Sequence, residues 1–191
     1  MIRNKKILPL VEPRMVDDAL MEIQTILEEG LEWLDKAYGR AVRRKELKDG
    51  KVVMYPAIQA GGEEYVSMFP DGSIGNYSFF DVKDGVNISN MKRGRGDERF
   101  KFGLVFWYDL RKVYPDDWES RNEYNVIGEV MDLLNTKVVS KSQFRLNTRF
   151  LREESVYSGY TISELDFQFY MMPYGGFRLE GDLIVLLKNV C

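Results

Sequence analysis

Residues 100–110, FKFGLVFWYDL, run directly into RKVYPDDWESRNEYNVIGEVMDLL, and their reading decides the fold. The run is the most apolar short segment of the chain. It is too short for a well-formed helix and rich in aromatic and β-branched residues, which favours a buried central strand. Side chains next to each other on a strand point to opposite faces. Phe106, Trp107 and Tyr108 therefore require either that both faces of a sheet be covered by helices or that one face meet another subunit. Helical cover on both faces is expected for the central strand, and a mixture for its neighbours.

On the C-terminal side, Pro115 and Asp116 end the unit, and Trp118 is placed to pack over a following helix. Residues 121–134 carry Tyr124, Ile127, Val130, Met131 and Leu134 on one helical face. Residues 144–151 read as a strand. Residues 163–172 alternate Leu165, Phe167, Phe169 and Met171 with polar positions, the pattern of a strand. Pro173–Gly176 is then a turn, and residues 177–187 close a C-terminal hairpin.

On the N-terminal side, residues 16–38 form one apolar stripe at three- and four-residue spacing: Leu20, Ile23, Leu27, Leu31, Leu34 and Tyr38. This predicts a long helix capped by Asp17 or Asp18 and stopped near Gly39. Gly30 inside it costs about 1 kcal/mol relative to alanine, which the stripe overrides. Strands are expected over 51–58, 65–69, 73–82 and 86–89, with turns at Lys48-Asp49-Gly50, Pro70-Asp71-Gly72 and Lys83-Asp84-Gly85. Residues 90–98 read as an exposed glycine-rich loop. Pro9 and Pro13 oppose helix in an extended arm. The expected fold class is α+β: a mostly antiparallel β-sheet packed by a long N-terminal helix and a second, shorter one, with extended loops. Residues 1–15 are the arm and 16–191 a single domain.

The composition narrows the chemistry. The chain has no histidine, and its one cysteine is Cys191, so Ser-His-Asp and Cys-His systems, histidine-containing zinc sites and an internal disulfide are all excluded. No apolar run is long enough to cross a membrane as a helix, and the N-terminal residues do not read as a signal peptide. A formal net charge of −3 argues against a dedicated nucleic-acid binder. The charges are sorted locally, however. Residues 40–51 and 92–101 are basic and 116–129 are acid-rich, a pattern that contacts between subunits use for register. Candidate partner-contact residues are Arg43, Arg44, Lys92, Arg93, Arg95 and Tyr174.

No catalytic, cofactor-binding or metal-ligating residue is assigned, and the expectation is a protein that is not an enzyme and uses no cofactor. Asp116, Asp117 and Glu119 suggest Mg²⁺ chemistry of a phosphodiesterase or nuclease, but no Glu-x-Lys accompanies them, and a helix N-terminus accounts for the same acids. The glycines and arginines of 93–96 lack the Gly-Lys-Ser/Thr ending of a phosphate-binding loop. Phe79, Phe80 and the 106–108 aromatics offer stacking surfaces as well as core. Trp33 and Trp118 read as core, and Tyr174-Gly175-Gly176 as a turn open to a neighbour's backbone.

The order of elements resembles that of tail-terminator and tail-completion proteins of tailed bacteriophages. The matching pieces are 16–38, 51–58 with its Met54-Tyr55-Pro56-Ala57-Ile58, 100–110, 121–134 and 163–187. The chain is also similar in style to neck-ring proteins of crAss-like phages. The resemblance implies a structural virion protein, assembled in the host cytoplasm, that forms a six- or twelvefold homo-oligomeric ring between portal or neck and tail, around the DNA channel and in non-specific contact with DNA, without a membrane. The arm, a sheet edge and the 90–98 loop would supply head-to-tail contacts between copies. A metal-dependent nuclease and a monomeric ligand-binding α+β module are the alternatives.

Overall fold

The computed structural model describes residues 12–61, 64–92, 95–137 and 142–187. In chain order the elements are α1 (Val16–Gly30), β1 (Lys36–Arg40), β2 (Val42–Lys48), β3 (Lys51–Gly61), β4 (Glu64–Ser67), β5 (Tyr77–Lys92) and β6 (Arg95–Asp109). There follow α2 (Leu110–Val113), α3 (Glu123–Thr136), β7 (Ser142–Phe150), α4 (Glu153–Val156) and β8 (Tyr174–Leu187). The α+β class is as expected. A five-stranded sheet runs β1-β5-β6-β8-β7, and a separate three-stranded sheet runs β2-β3-β4. Every pairing is antiparallel except β1 with β5.

β6 is the middle strand of the large sheet. Its alternation divides the interior in two. Phe100, Phe102, Leu104, Phe106 and Tyr108 face α1 and α3, joined there by Phe80, Phe177 and Leu179. Val105 and Trp107 face the other way, with Tyr77 and Phe79 of β5. That second face is covered by the small sheet and the segment after α4, through Ile58, Met68, Val156, Tyr157 and Leu165. Helices on both faces were expected; α1 and α3 cover one face, while the other is covered by the small sheet, the four-residue α4 and the turns that follow it. The burial is aromatic on both sides: Phe106 stacks on Phe177 at 4.8 Å and Trp107 on Tyr77 at 5.8 Å.

α1 is shorter than its stripe. Leu31 and Leu34 are buried, but in a connecting loop, and Tyr38 is buried from β1, so one apolar periodicity serves three conformations. Two contacts end the helix there. A Cβ on Gly30 would lie 2.4 Å from the Leu133 side chain, so the glycine is where α1 meets α3. Beyond it, buried Asn76 accepts the backbone N–H groups of Asp35 and Lys36 on its carbonyl and donates its side-chain amide to Trp33 O, fixing the loop to the start of β5. Neither expected aspartate caps α1, whose N-cap is Met15 at φ 54°. Asp17 pairs with Arg40 instead. α3 carries a capping box from Asn122 and Asn125 and buries Val126, Ile127, Val130 and Leu134, while Tyr124 is exposed.

Three further expectations are corrected. Lys83-Asp84-Gly85 is no turn but an irregularity inside β5, which runs on to Lys92. Most of 90–98 is strand and not loop, because β5 runs to Lys92, β6 begins at Arg95 and Glu98 is buried; residues 93 and 94 lie outside the described residues. Residues 163–172 are not a strand. Two 3-10 turns, Ile162–Glu164 and Phe167–Tyr170, occupy them, and Asp166 accepts the Gln168 N–H to start the second. β8 therefore makes no hairpin with that segment; it lies between β6 and β7. The N-terminal arm falls outside the described residues up to residue 11.

Candidate functional site

Arg43 and Arg44 lie on β2, all seven of whose residues are exposed. No apolar–polar alternation marks this strand in the sequence. VRRKELK forms it because Asp49 and Gly50, at φ 50° and 74°, make a two-residue turn that pairs Lys48 with Lys51. The resulting ribbon is anchored from both faces. The Arg43 guanidinium sits 5.3 Å from the Tyr160 ring centroid and that of Arg44 4.2 Å from the Tyr65 ring, on opposite sides of the strand. Lys48 pairs with Glu164, which raises the Lys48 pKa by hydrogen bond and charge together. Thr161 donates its N–H to Met54 O and accepts the Met54 N–H on its hydroxyl. At the far end the cross-strand pair Leu47 and Val52 stands 72% and 63% exposed.

The other candidates are distributed elsewhere. Lys92 and Arg95 face each other where β5 meets β6; Arg93 and the side chains of Lys92 and Arg95 lie outside the described part. Tyr174 pairs with Asp109, at the opposite end of β6 from Arg95, so it does not share a site with the basic hairpin. It stacks on Trp107 at 5.4 Å and accepts a hydrogen bond from Arg111 at 3.0 Å. The glycines after it are required internally, since a Cβ would meet Tyr108 Oη at 2.8 Å from Gly175 and Phe106 O at 2.9 Å from Gly176. Of the acids near 116–119, Asp117 is held by Arg121 at 2.7 Å. Among the described residues no three histidine, cysteine, aspartate or glutamate side chains are grouped to hold a metal ion.

A polar cluster on the second face escaped the sequence reading. Arg178 is fully buried and lies across Gly103, whose absent Cβ would sit 2.4 Å from its Cζ. It donates to Asp81 Oδ2 at 2.8 Å and to Glu180 Oε1 at 2.9 Å. Asp81 and Glu180 are the register partners of Gly103 on either side, so one arginine ties three strands together through the space a glycine leaves. Tyr160 donates to Asp81 at 3.0 Å, and its burial together with the negative charge of Asp81 holds its hydroxyl well above the usual tyrosine range. Burial pushes the Glu180 carboxyl up, but the hydrogen bond from Lys83 and the charge of Arg178 outweigh it and bring its pKa below the ordinary value. Gly103 inside the strand pattern marks close approach of another group, but nothing local in the sequence says that the group is Arg178.

Two grooves flank the ribbon. One, of about 660 Å³, lies between the ribbon and the 3-10 segment and is walled by Glu46, Tyr55, Tyr65, Phe69, Glu164 and Phe169. The other, of about 470 Å³, lies on the Arg43 side, between Arg40–Arg43, Asp81–Lys83 and the 158–160 loop. Among the described residues no helix is long and apolar enough to cross a membrane. Comparison of the chain with protein-family models and with curated proteins returns no match.

Proposed function

We propose that this chain is a structural virion protein of a tailed phage, one copy of a ring at the head-to-tail junction or tail end. The observation that carries the reading is the β2–β3 ribbon. One of its strands is exposed along its whole length, it ends in two exposed apolar side chains, and among the described residues its outer edge is not paired within either sheet. Such an edge is a template for another chain. Burying the apolar tip against a neighbour removes from water surface that contributes roughly 25 cal/mol per Å². Head-to-tail contacts of this kind close a ring when the rotation between copies divides the circle, and six- or twelvefold closure matches the position proposed. The basic residues of β2 then set register against acidic surface such as that around Asp116 and Glu119.

The test is electron microscopy of the full chain mixed with portal-bearing heads and with tails. Rings of six or twelve copies at the junction or tail end are expected, and Leu47→Glu with Val52→Glu removes them while the variant keeps the wild-type unfolding midpoint. A wild-type chain that attaches to neither heads nor tails, and is missing from assembled particles, defeats the reading.

A further inference from the structure

We propose that the groove on the Arg43 side of the ribbon is a binding site for a phosphate group, with Arg43 as its principal ligand and Lys83 and Arg40 beside it. The site stands on its own chemistry and does not depend on the ring reading. Its walls carry three cations and one acid, and the acid is already spent. Asp81 receives Arg178 at 2.8 Å and the Tyr160 hydroxyl at 3.0 Å, so it offers little opposition to an incoming anion.

The cations differ in how far they are committed. Arg40 makes two hydrogen bonds to Asp17, at 3.1 and 3.2 Å. Lys83 reaches Glu180 at 3.0 Å with its side chain 47% exposed, a surface pair of the kind worth little, and Glu180 keeps Arg178 when Lys83 leaves. Arg43 has no carboxylate partner among the described residues. It is nonetheless held in place. Its guanidinium lies over the Tyr160 ring, and its Nη2 is 3.0 Å from where a Cβ at residue 159 would stand. Position 159 is glycine at φ 88°, a backbone conformation that strains a larger residue, and a Cβ there would require the arginine to give by a few tenths of an ångström.

With its carbon over the Tyr160 ring and no carboxylate partner among the described residues, the Arg43 guanidinium keeps N–H groups available, and such an N–H edge takes phosphate oxygens in pairs. One such edge saturates a carboxylate. A tetrahedral phosphate has further oxygens to place, and Lys83 and Arg40 flank the groove to receive them. The space holds the phosphate and part of whatever carries it, at the small end of ordinary ligand pockets. The phosphate is supplied either as free phosphate or a monoester, or as a phosphodiester of a nucleic-acid backbone.

The experiment is amide and arginine-side-chain NMR of the full chain at low, constant ionic strength. One arm titrates inorganic phosphate; the other titrates a short DNA duplex without terminal phosphates. Saturable shifts are expected at the Arg43 Nε–H and at the amides of Ala41, Lys83 and Gly159. Arg43→Gln is expected to weaken binding about tenfold, as loss of a charge-assisted hydrogen bond does. Arg44→Gln removes the same charge from the opposite face and should leave binding unchanged, while Lys83→Met gives an intermediate loss. Saturation by phosphate assigns the free or monoester form, and saturation by duplex alone assigns the backbone. No saturation in either arm, or equal weakening by Arg43→Gln and Arg44→Gln, overturns the site.

Discussion

Replacing Arg178 by methionine tests whether the charge cluster on the second face holds the sheet together. The substitution keeps most of the aliphatic stem and removes the guanidinium. Among the described residues, Asp81 would then keep, at 6% exposure, the Tyr160 hydroxyl as its donor, and Glu180 would keep Lys83. Breaking a buried pair from one side costs about 3–5 kcal/mol, because the surviving charge stays buried. The low end is expected here. Arg178 Nη2 has no acceptor among the described residues, so the wild type already carries an unsatisfied donor worth about 1–3 kcal/mol that the variant relieves. A loss near 3 kcal/mol is a large share of the 5–15 kcal/mol typical of a domain. Equilibrium urea unfolding at pH 7 measures it, provided the slope with denaturant stays constant. The cost comes from an orphaned carboxylate, so Asp81→Asn in the Arg178→Met background should recover at least about 1 kcal/mol as a coupling energy. A loss below about 1 kcal/mol for Arg178→Met, or a double variant no better than the sum of the singles, refutes it.

Gly103→Ala places a Cβ 2.4 Å from Arg178 Cζ and should destabilise by a similar amount, with much of that loss abolished in Arg178→Met. Gly30→Ala drives a methyl into Leu133, and despite better helix propensity it should cost about 1 kcal/mol by overpacking; Leu133→Ala in the same chain should remove that penalty. The folded pKa of Glu180 lies below its unfolded value, so its stabilisation is present above the unfolded pKa and is lost as pH falls through the folded one; Glu180→Gln should flatten that part of an acid-unfolding profile. Burial raises the hydroxyls of Tyr77, Tyr108, Tyr160 and Tyr170, and pushes Tyr157 up to about 12. The folded state thus holds protons that the unfolded chain gives up near pH 10, and stability should fall as pH rises above that point, seen as tyrosinate absorbance appearing together with unfolding.

What the sequence disclosed was what local chemistry determines. β6 was legible because a strand buried on both faces must be apolar at every step, and few other structures ask for FGLVFWY. α3 was legible by its stripe. β2 was not, because its residues meet solvent on both faces and only the backbone of β3 makes it a strand. The alternation at 163–172 misled because Phe167 and Met171 are exposed, and Asp166 offers the backbone a local acceptor that favours a turn. The stripe of 16–38 overran because burial, and not helix, was what Leu31, Leu34 and Tyr38 had in common. Among the candidate contacts, Arg43 and Arg44 were singled out as part of one basic run, but the strand sends them to opposite faces and different aromatic partners. The Arg178 cluster was beyond local reading, since 97 residues separate Arg178 from Asp81.

The cluster and the ribbon are mechanically related. Asp81 and Tyr160 each join the interior to the Arg43 groove: Asp81 through Arg178, Tyr160 through its hydroxyl on Asp81 and its ring beneath Arg43. The loop that carries Tyr160 also carries Thr161, which is bonded to the ribbon at Met54. A load on the ribbon therefore reaches the large sheet through several short paths, among them the Thr161 bonds to Met54, the Arg43 guanidinium over Tyr160 and, at the base of β2, the Ala41 N–H donated to Phe80 O at 2.7 Å. Hydrophobic contact alone would let the ribbon slide, because it is non-directional. Hydrogen bonds and a stacked guanidinium fix its angle. A projecting strand whose angle is fixed from both faces is what a part needs if a neighbouring copy is to find its edge in the same place every time. Removing Tyr160 by Tyr160→Phe leaves the ring under Arg43 and deletes only the bond to Asp81. That change should lower stability by roughly 1.5–3 kcal/mol, the range for a hydrogen bond to a charged group, and leave the ribbon in place. Tyr160→Ala removes the stack as well, and amide exchange along β2 and β3 should then rise well above its level in Tyr160→Phe at matched global stability. Equal exchange in the two variants would mean that the Arg43–Tyr160 contact does not set the angle of the ribbon.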